Sequence, residues 1–283
     1  MRQSGWQALL TACVLWPLAS HAHAQAITLP LEARHVSLGG ELSYFQTTED
    51  AASLHVLAPR LSAQYAFDAH FSIAADYGAI GFASSASIGG TETILRSGNP
   101  AILGMLRGTW QGVSYRVAVG ATAPLARIDS AGQGRLQHAA FDYAEGLDGL
   151  WEVWLWAPAR LSALCYGRLD FDLAPDVAFE VAAAPAVLFP LYEAYGRDPV
   201  NVFIPTLVGL STQKGPVRLG LRLKAVIMPA GLDMLQLALE PWLRVMLGRA
   251  FVEARFTGNL DEPLAGERGP GVWGMHLSGG GVL

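Results

Sequence analysis

The chain has 283 residues, of which 52% are hydrophobic and only 15% charged, and a formal charge of −5. It is too apolar to stay disordered, and it carries far less charge than the about 25% of an ordinary soluble domain. It has no basic block to mark a nucleic-acid partner, and its two cysteines, Cys13 and Cys165, exclude a cysteine-based zinc cluster or a disulfide framework.

Arg2 is the only charged residue among the first 31. An apolar or neutral run from Trp6 to Ala19 follows it, and Ala22 and Ala24 then occupy the −3 and −1 positions before Gln25. This pattern predicts a cleaved secretory leader over 1–24, too short for a membrane-spanning helix. A retained anchor helix and a lipidation site at Leu10-Thr11-Ala12-Cys13 are the alternatives. Residues 25–283 are expected to form a single domain in which Cys165 is either inert or paired between molecules.

No later stretch offers about 20 uninterrupted apolar residues, so a helical bundle is not expected. The body instead alternates with period two. Over 216–228, Val217, Leu219, Leu221, Leu223, Ala225 and Ile227 share one face, and Arg218, Gly220, Arg222 and Lys224 share the other. Over 234–247, Leu235, Leu237, Leu239, Leu243, Val245 and Leu247 oppose Gln236, Glu240 and Arg244. Twelve strands are expected in chain order: 35–46, 54–67, 70–82, 99–110, 113–125, 153–171, 176–190, 200–213, 216–228, 234–247, 250–258 and 270–280. Connections after even strands are short: Asp68-Ala69, Gln111-Gly112, Asp172 to Pro175, Lys214-Gly215 and Gly248-Arg249. Those after odd strands are mostly longer: 47–53, 83–98, 126–152, 191–199 and 259–269, with 229–233 the short exception. Long loops on one side and tight turns on the other predict an all-β fold, a closed antiparallel up-and-down transmembrane β-barrel of about 12 strands. A secreted soluble β-sandwich with one wet face is the competing architecture.

Aromatic residues fall near both expected rims, where amphipathic rings favour the headgroup level. Tyr65, Phe67, Phe71, Trp110, Tyr115 and Phe171 lie toward the short turns. Tyr44, Tyr77, Trp154, Trp156, Phe189 and Tyr192 lie toward the long loops. A mean hydropathy of +0.30 suggests a narrow, Ala- and Gly-rich interior, or an average dominated by the leader and the outer face.

The inward parity carries the candidate site. It holds Glu41, Arg60, Asp76, Arg107, Arg116, Arg160, Arg168, Asp170, Glu180, Arg218, Arg222, Lys224, Glu240, Arg244, Glu253 and Arg255. Basic groups outnumber acidic ones on this face, although the whole chain is acidic. Charges inside a barrel must pair or be hydrated. Paired across the lumen they make a largely structural barrel; separated by water they line a pore that favours anions. A passive channel or small-solute transporter is therefore one expectation, with loop 126–152 long enough to fold into the lumen. A non-conducting barrel that stabilises the envelope or binds partners through its loops is the other. No metal site, cofactor or catalytic residue is expected, and the histidines are few and scattered.

Three stretches carry resemblances. The leader, the alternating segments and the loop asymmetry together resemble Gram-negative outer-membrane β-barrel proteins, which implies outer-membrane lipids and the barrel-assembly machinery as partners. Ser97-Gly98-Asn99-Pro100-Ala101-Ile102-Leu103-Gly104 looks like the start of a strand in outer-membrane transporters of aromatic-compound pathways. The stretch from Arg255 to Gly266, with Asn259-Leu260-Asp261-Glu262-Pro263, resembles a late hairpin of such barrels. These proteins commonly end in an aromatic residue; this chain ends Gly281-Val282-Leu283, and Leu283 keeps only the hydrophobic character. His276-Leu277-Ser278 is similar to the His-x-Ser element of outer-membrane lipid hydrolases, but Gly279 stands where their Asn follows, and no third member of a triad can be assigned.

Overall fold

A computed structural model describes residues 35–49, 52–86, 90–128, 134–191, 200–229, 235–260 and 272–283; the expected leader lies outside them. The strands are β1 (His35–Glu49), β2 (Ala52–Ala66), β3 (Phe71–Ala86), β4 (Gly90–Ser97), β5 (Ala101–Trp110), β6 (Val113–Thr122) and β7 (Arg160–Ala174). They continue with β8 (Val177–Ala183), β9 (Ala186–Pro190), β10 (Asn201–Lys214), β11 (Val217–Ile227), β12 (Leu235–Leu247), β13 (Ala250–Asn259) and β14 (Trp273–Val282).

Sequence neighbours pair antiparallel, and the ring closes where β1 meets β14, with Glu41 opposite Ser278 and Ser43 opposite His276. The result is a closed barrel of twelve staves with two extra strands. Two staves are interrupted. β4 and β5 both pair with β3 and are separated at Gly98-Asn99-Pro100, and β8 and β9 lie end to end between β7 and β10. Closure follows from backbone chemistry: in hydrocarbon an open edge strands unpaired N–H and C=O groups, each costing several kcal/mol. At the turn between β5 and β6, Gln111 and Gly112 both have positive φ (51° and 82°), the backbone of a two-residue type I′ hairpin that follows the strand twist.

The alternation sorts the faces as expected. Leu219, Leu221 and Leu223 of β11 point outward, with Leu221 47% exposed, while Arg222 and Lys224 between and beside them are buried. A two-layered sandwich needs those leucines in a dry centre, so that architecture is excluded. Substituting Leu221→Arg, near the middle of the lipid-facing band, is expected to destabilise the barrel by about 2–4 kcal/mol in vesicle unfolding titrations. Leu221→Ala should cost clearly less.

Several expectations need correction. The expected strand 153–171 starts only at Arg160; Val153–Trp156 is a short helix with every side chain buried. The expected loop 83–98 is largely a ladder of β3 against β4, and the expected strand 176–190 is two strands. Trp154 and Trp156 are buried inside the barrel rather than set in a rim girdle, whereas Tyr65, Phe67, Phe71, Trp110 and Tyr115 near the short turns, and Tyr77 and Phe189, face outward. Tyr192 lies outside the described residues. The inward face is not uniformly polar either. Toward the long-loop ends of β1 to β4 it presents Phe45, Val56, Ile80, Phe82 and Ile94, all buried.

Those apolar residues have a partner. Between β6 and β7 the chain turns into the barrel and forms α1 (Gly134–Leu147) and α2 (Val153–Trp156). Ala140, Phe141, Ala144 and Leu147 recur at helical spacing on the buried side of α1, while His138 and Asp142 are exposed. The Tyr143 ring packs 5.5 Å from Phe45 and 6.3 Å from Phe82. One apolar cluster runs from the β1–β4 wall through both helices to Leu164, Leu188 and Leu207 on the opposite wall. The segment 134–157 thus crosses the lumen.

Candidate functional site

The site is the inner wall together with the segment that crosses it. Adjacent staves bring opposite charges side by side on the inward face. Arg222 lies opposite Glu240, Arg244 opposite Glu253, and Glu41 opposite Arg60. Glu240 is fully buried and central: it accepts from Arg222 Nη1 at 2.7 Å, Lys224 Nζ at 2.6 Å, Arg255 Nη1 at 3.0 Å and Thr257 Oγ1 at 3.2 Å. Arg255 Nη2 also donates to Glu41 at 2.6 Å. Arg222 Nε donates to Glu180 Oε1 at 2.6 Å, reaching across β10 at Gly209. A Cβ at Gly209 would stand 2.6 Å from that same Glu180 oxygen, so only glycine leaves room for the pair. Glu180 continues to Arg168 at 2.7 Å, which forks onto Asp170.

The sixteen expected inward residues are all buried or half-buried. Twelve of them form this ion-pair belt, which includes Arg244 with Glu253 at 2.7 Å and Arg60 with Asp76 at 3.6 Å. Of the other four, Arg107, Arg116 and Arg218 gather near the short turns, and Arg160 opens β7 at the long-loop side.

The crossing segment docks onto this belt. Asp148 accepts from Lys224 at 2.5 Å and meets Arg255 at 3.5 Å, and Glu152 pairs with Arg60. The last carbonyls of α1 would be orphaned in a dry lumen. Wall side chains serve them instead: Asn259 Nδ2 donates to the Gly146 carbonyl at 3.0 Å, and His276 Nε2 lies 3.1 Å from the Leu147 carbonyl. Gly149 and Leu150, both with positive φ, end the helix, and the Leu150 N–H returns to the Glu145 carbonyl at 3.0 Å. On the opposite side Trp156 lies against Gly78 and Gly98, where a Cβ would meet its ring at 2.4 and 3.0 Å.

Asn99 fastens the second helix. It is fully buried, its Nδ2 donates to the Trp154 and Ala157 carbonyls at 3.1 and 2.7 Å, and its Oδ1 accepts from the Ala126 N–H at 2.8 Å. In the sequence Asn99 reads only as the first residue of an expected strand, 99–110. Only an uninterrupted apolar run at 153–157 hinted that something had to hold that stretch.

His276 and Ser278 do share the inward face, as their spacing implies, but they do not form a nucleophile and base. Ser278 Oγ reaches the Glu253 carbonyl at 3.5 Å. The hydroxyl beside the imidazole is that of Ser43, 2.7 Å from Nδ1, with Glu41 Oε1 3.3 Å away. The other ring nitrogen is occupied with the end of α1, so the histidine holds the segment.

Docking is expected to respond to pH. Burial, with Asp142 close by, pushes the Glu145 carboxyl on α1 up to about 8, while Arg160 pulls the other way. A carboxyl that keeps its proton longer when docked than in water favours docking fully below its ordinary value of 4.5 and loses that effect as pH rises through about 8. The undocked fraction is therefore expected to rise by up to about tenfold per pH unit between those limits and level off above. Limited proteolysis of 134–157 across pH 5.5–9 measures it; Glu145→Gln should flatten the profile.

No protein-family model and no curated protein matches the chain. Solved structures do. An outer membrane channel from Pseudomonas putida F1 matches 92% of this chain and 100% of its own at 11% identity, with a TM-score of 0.60. The β domain of a Bordetella autotransporter matches 89% of this chain and 100% of its own at 12% identity and a TM-score of 0.46. The translocator domain of the autotransporter NalP from Neisseria meningitidis matches 98% and 93% at 10% identity and a TM-score of 0.42. At such identities the likeness is one of fold, and the fold is that of a Gram-negative outer-membrane β-barrel.

Proposed function

We propose that this barrel sits in the outer membrane as a passive channel for small solutes, closed by segment 134–157 and opened when that segment leaves the lumen. The observation that carries this reading is that each wall cation gripping the segment is also paired with a carboxylate of the wall. Arg60 has Asp76 at 3.6 Å, Lys224 has Glu240 at 2.6 Å, and Arg255 has Glu41 at 2.6 Å. The wall does not need the segment for its charge balance. Docking is an added layer, which suits a gate. The fold shared with an outer membrane channel supports it, and the basic excess near the short turns favours anionic solutes. No catalytic step is assigned.

Planar-bilayer conductance tests the proposal. The intact protein should conduct little; a variant with 134–157 replaced by a short Gly/Ser linker should conduct steadily. The apolar cluster that crosses the lumen favours a second reading, a sealed structural barrel. In that case the variant either stays silent or does not assemble.

A further inference from the structure

The geometry points to a binding site for a small organic carboxylate in the lumen near the short turns, away from the crossing segment. Cross-strand register sets three guanidinium groups in a row on the inward face: Arg107 of β5 opposite Arg116 of β6, and Arg116 opposite Arg168 of β7. Like charges directly opposite on a sheet repel. Arg168 is answered by Asp170 at 2.6 Å and Glu180 at 2.7 Å. Arg116 has no such answer: it is 9% exposed, and its buried Nε and Nη1 have no hydrogen-bond partner among the described residues. Arg107 turns Nε to the Ala69 carbonyl at 3.1 Å and leaves a buried Nη2 without a partner among the same residues.

These groups border a cavity of about 600 Å³, where Arg218 also lies, held to the neutral Ser211 hydroxyl at 2.9 Å. A buried, unanswered guanidinium is expensive, and a planar carboxylate matches its two-pronged donor fork. The β7–β8 turn adds apolar atoms of Ala174, Pro175, Val177 and Ala178 to the cavity's edge, a surface for the carbon body of an organic acid that a bare inorganic ion does not use. Three carboxylates also border the cavity: Asp170, half-buried and held by Arg168 at 2.6 Å, and Asp172 and Asp176 on the exposed rim, where water screens them. The site requires no conduction and stands apart from the gating proposal.

Calorimetric titration of the full-length protein in an uncharged detergent at 0.15 M NaCl tests it, with butyrate and succinate as carboxylate probes and inorganic phosphate as the other oxyanion. Saturable binding of at least one carboxylate is expected. Arg116→Gln should weaken it about tenfold or more, the loss of a charge-assisted fork. Arg116→Lys should fall between, and Arg127→Gln, on the exposed long-loop side, should change nothing. If Arg116→Gln does not assemble, Arg107→Gln reads the same site. No saturable carboxylate binding, binding of phosphate alone, or equal binding by wild type and Arg116→Gln would overturn the assignment. Independently of any ligand, Arg116→Gln should raise the unfolding temperature in ligand-free buffer, because it removes an unanswered buried charge; a lowered temperature contradicts the argument.

Discussion

Glu240→Ala is expected to destabilise the barrel by about 3–5 kcal/mol, the cost of removing one partner from a buried ion pair. Glu240 is buried completely and faces Arg222, Lys224 and Arg255 at once. Without it, three cations, two on β11 and one on β13, lose their shared counter-charge, and Arg222, Lys224 and Arg255 fall back on Glu180, Asp148 and Glu41. Glu240→Gln keeps an amide oxygen as acceptor for one donor and should cost less than the alanine change. Urea unfolding in lipid vesicles, with the heat-dependent mobility shift of folded barrels as a second readout, gives both values. A loss for the alanine variant within the ±0.5 kcal/mol of an ordinary surface substitution would mean that water, not Glu240, balances those cations.

The outer surface of this barrel was legible in the sequence, and the inner filling left only traces. β11 and β12 were readable because every second side chain meets lipid. Leu219, Leu221 and Leu223 cannot share parity with Arg218 and Arg222, so the pleat writes itself into the chain. The sixteen expected inward charges came from the same parity, and all are buried or half-buried. Parity says which side a residue faces, however, and nothing about what fills that side. Phe45, Val56, Ile80 and Phe82 share parity with Glu41, Arg60 and Asp76, a mixture that neither lipid nor water explains. It is the trace of an apolar body inside the ring. The matching body was equally visible: Leu150-Trp151-Glu152-Val153-Trp154-Leu155-Trp156 has one polar residue in seven and no polar face. Such a run is buried on all sides, whereas a rim strand would alternate. Asn99 carried no pattern at all, because a side chain that binds carbonyls nearly sixty residues away has no local signature.

Replacing 134–157 with a short linker is expected to turn a nearly silent barrel into a conducting one while leaving it folded. The wall retains its belt, since Glu240, Glu41, Asp76, Glu180 and Glu253 remain opposite their cations. What the variant loses is apolar contact: Phe45, Ile80, Phe82 and Ile94 would face water in place of Phe141, Tyr143 and their neighbours. Exposing a fully buried side chain of this kind costs about 1.5–3 kcal/mol. The variant should therefore unfold at lower urea but still assemble, with Phe45→Ser/Phe82→Ser recovering part of the loss in the variant and lowering stability in the intact chain. That reversal of sign is the discriminating result. A gate seated on the wall predicts it, because the same two rings are an asset against α1 and a liability against water. A sealed structural barrel predicts that the serine pair harms both chains alike, and that current through the linker variant stays at the level of the intact protein.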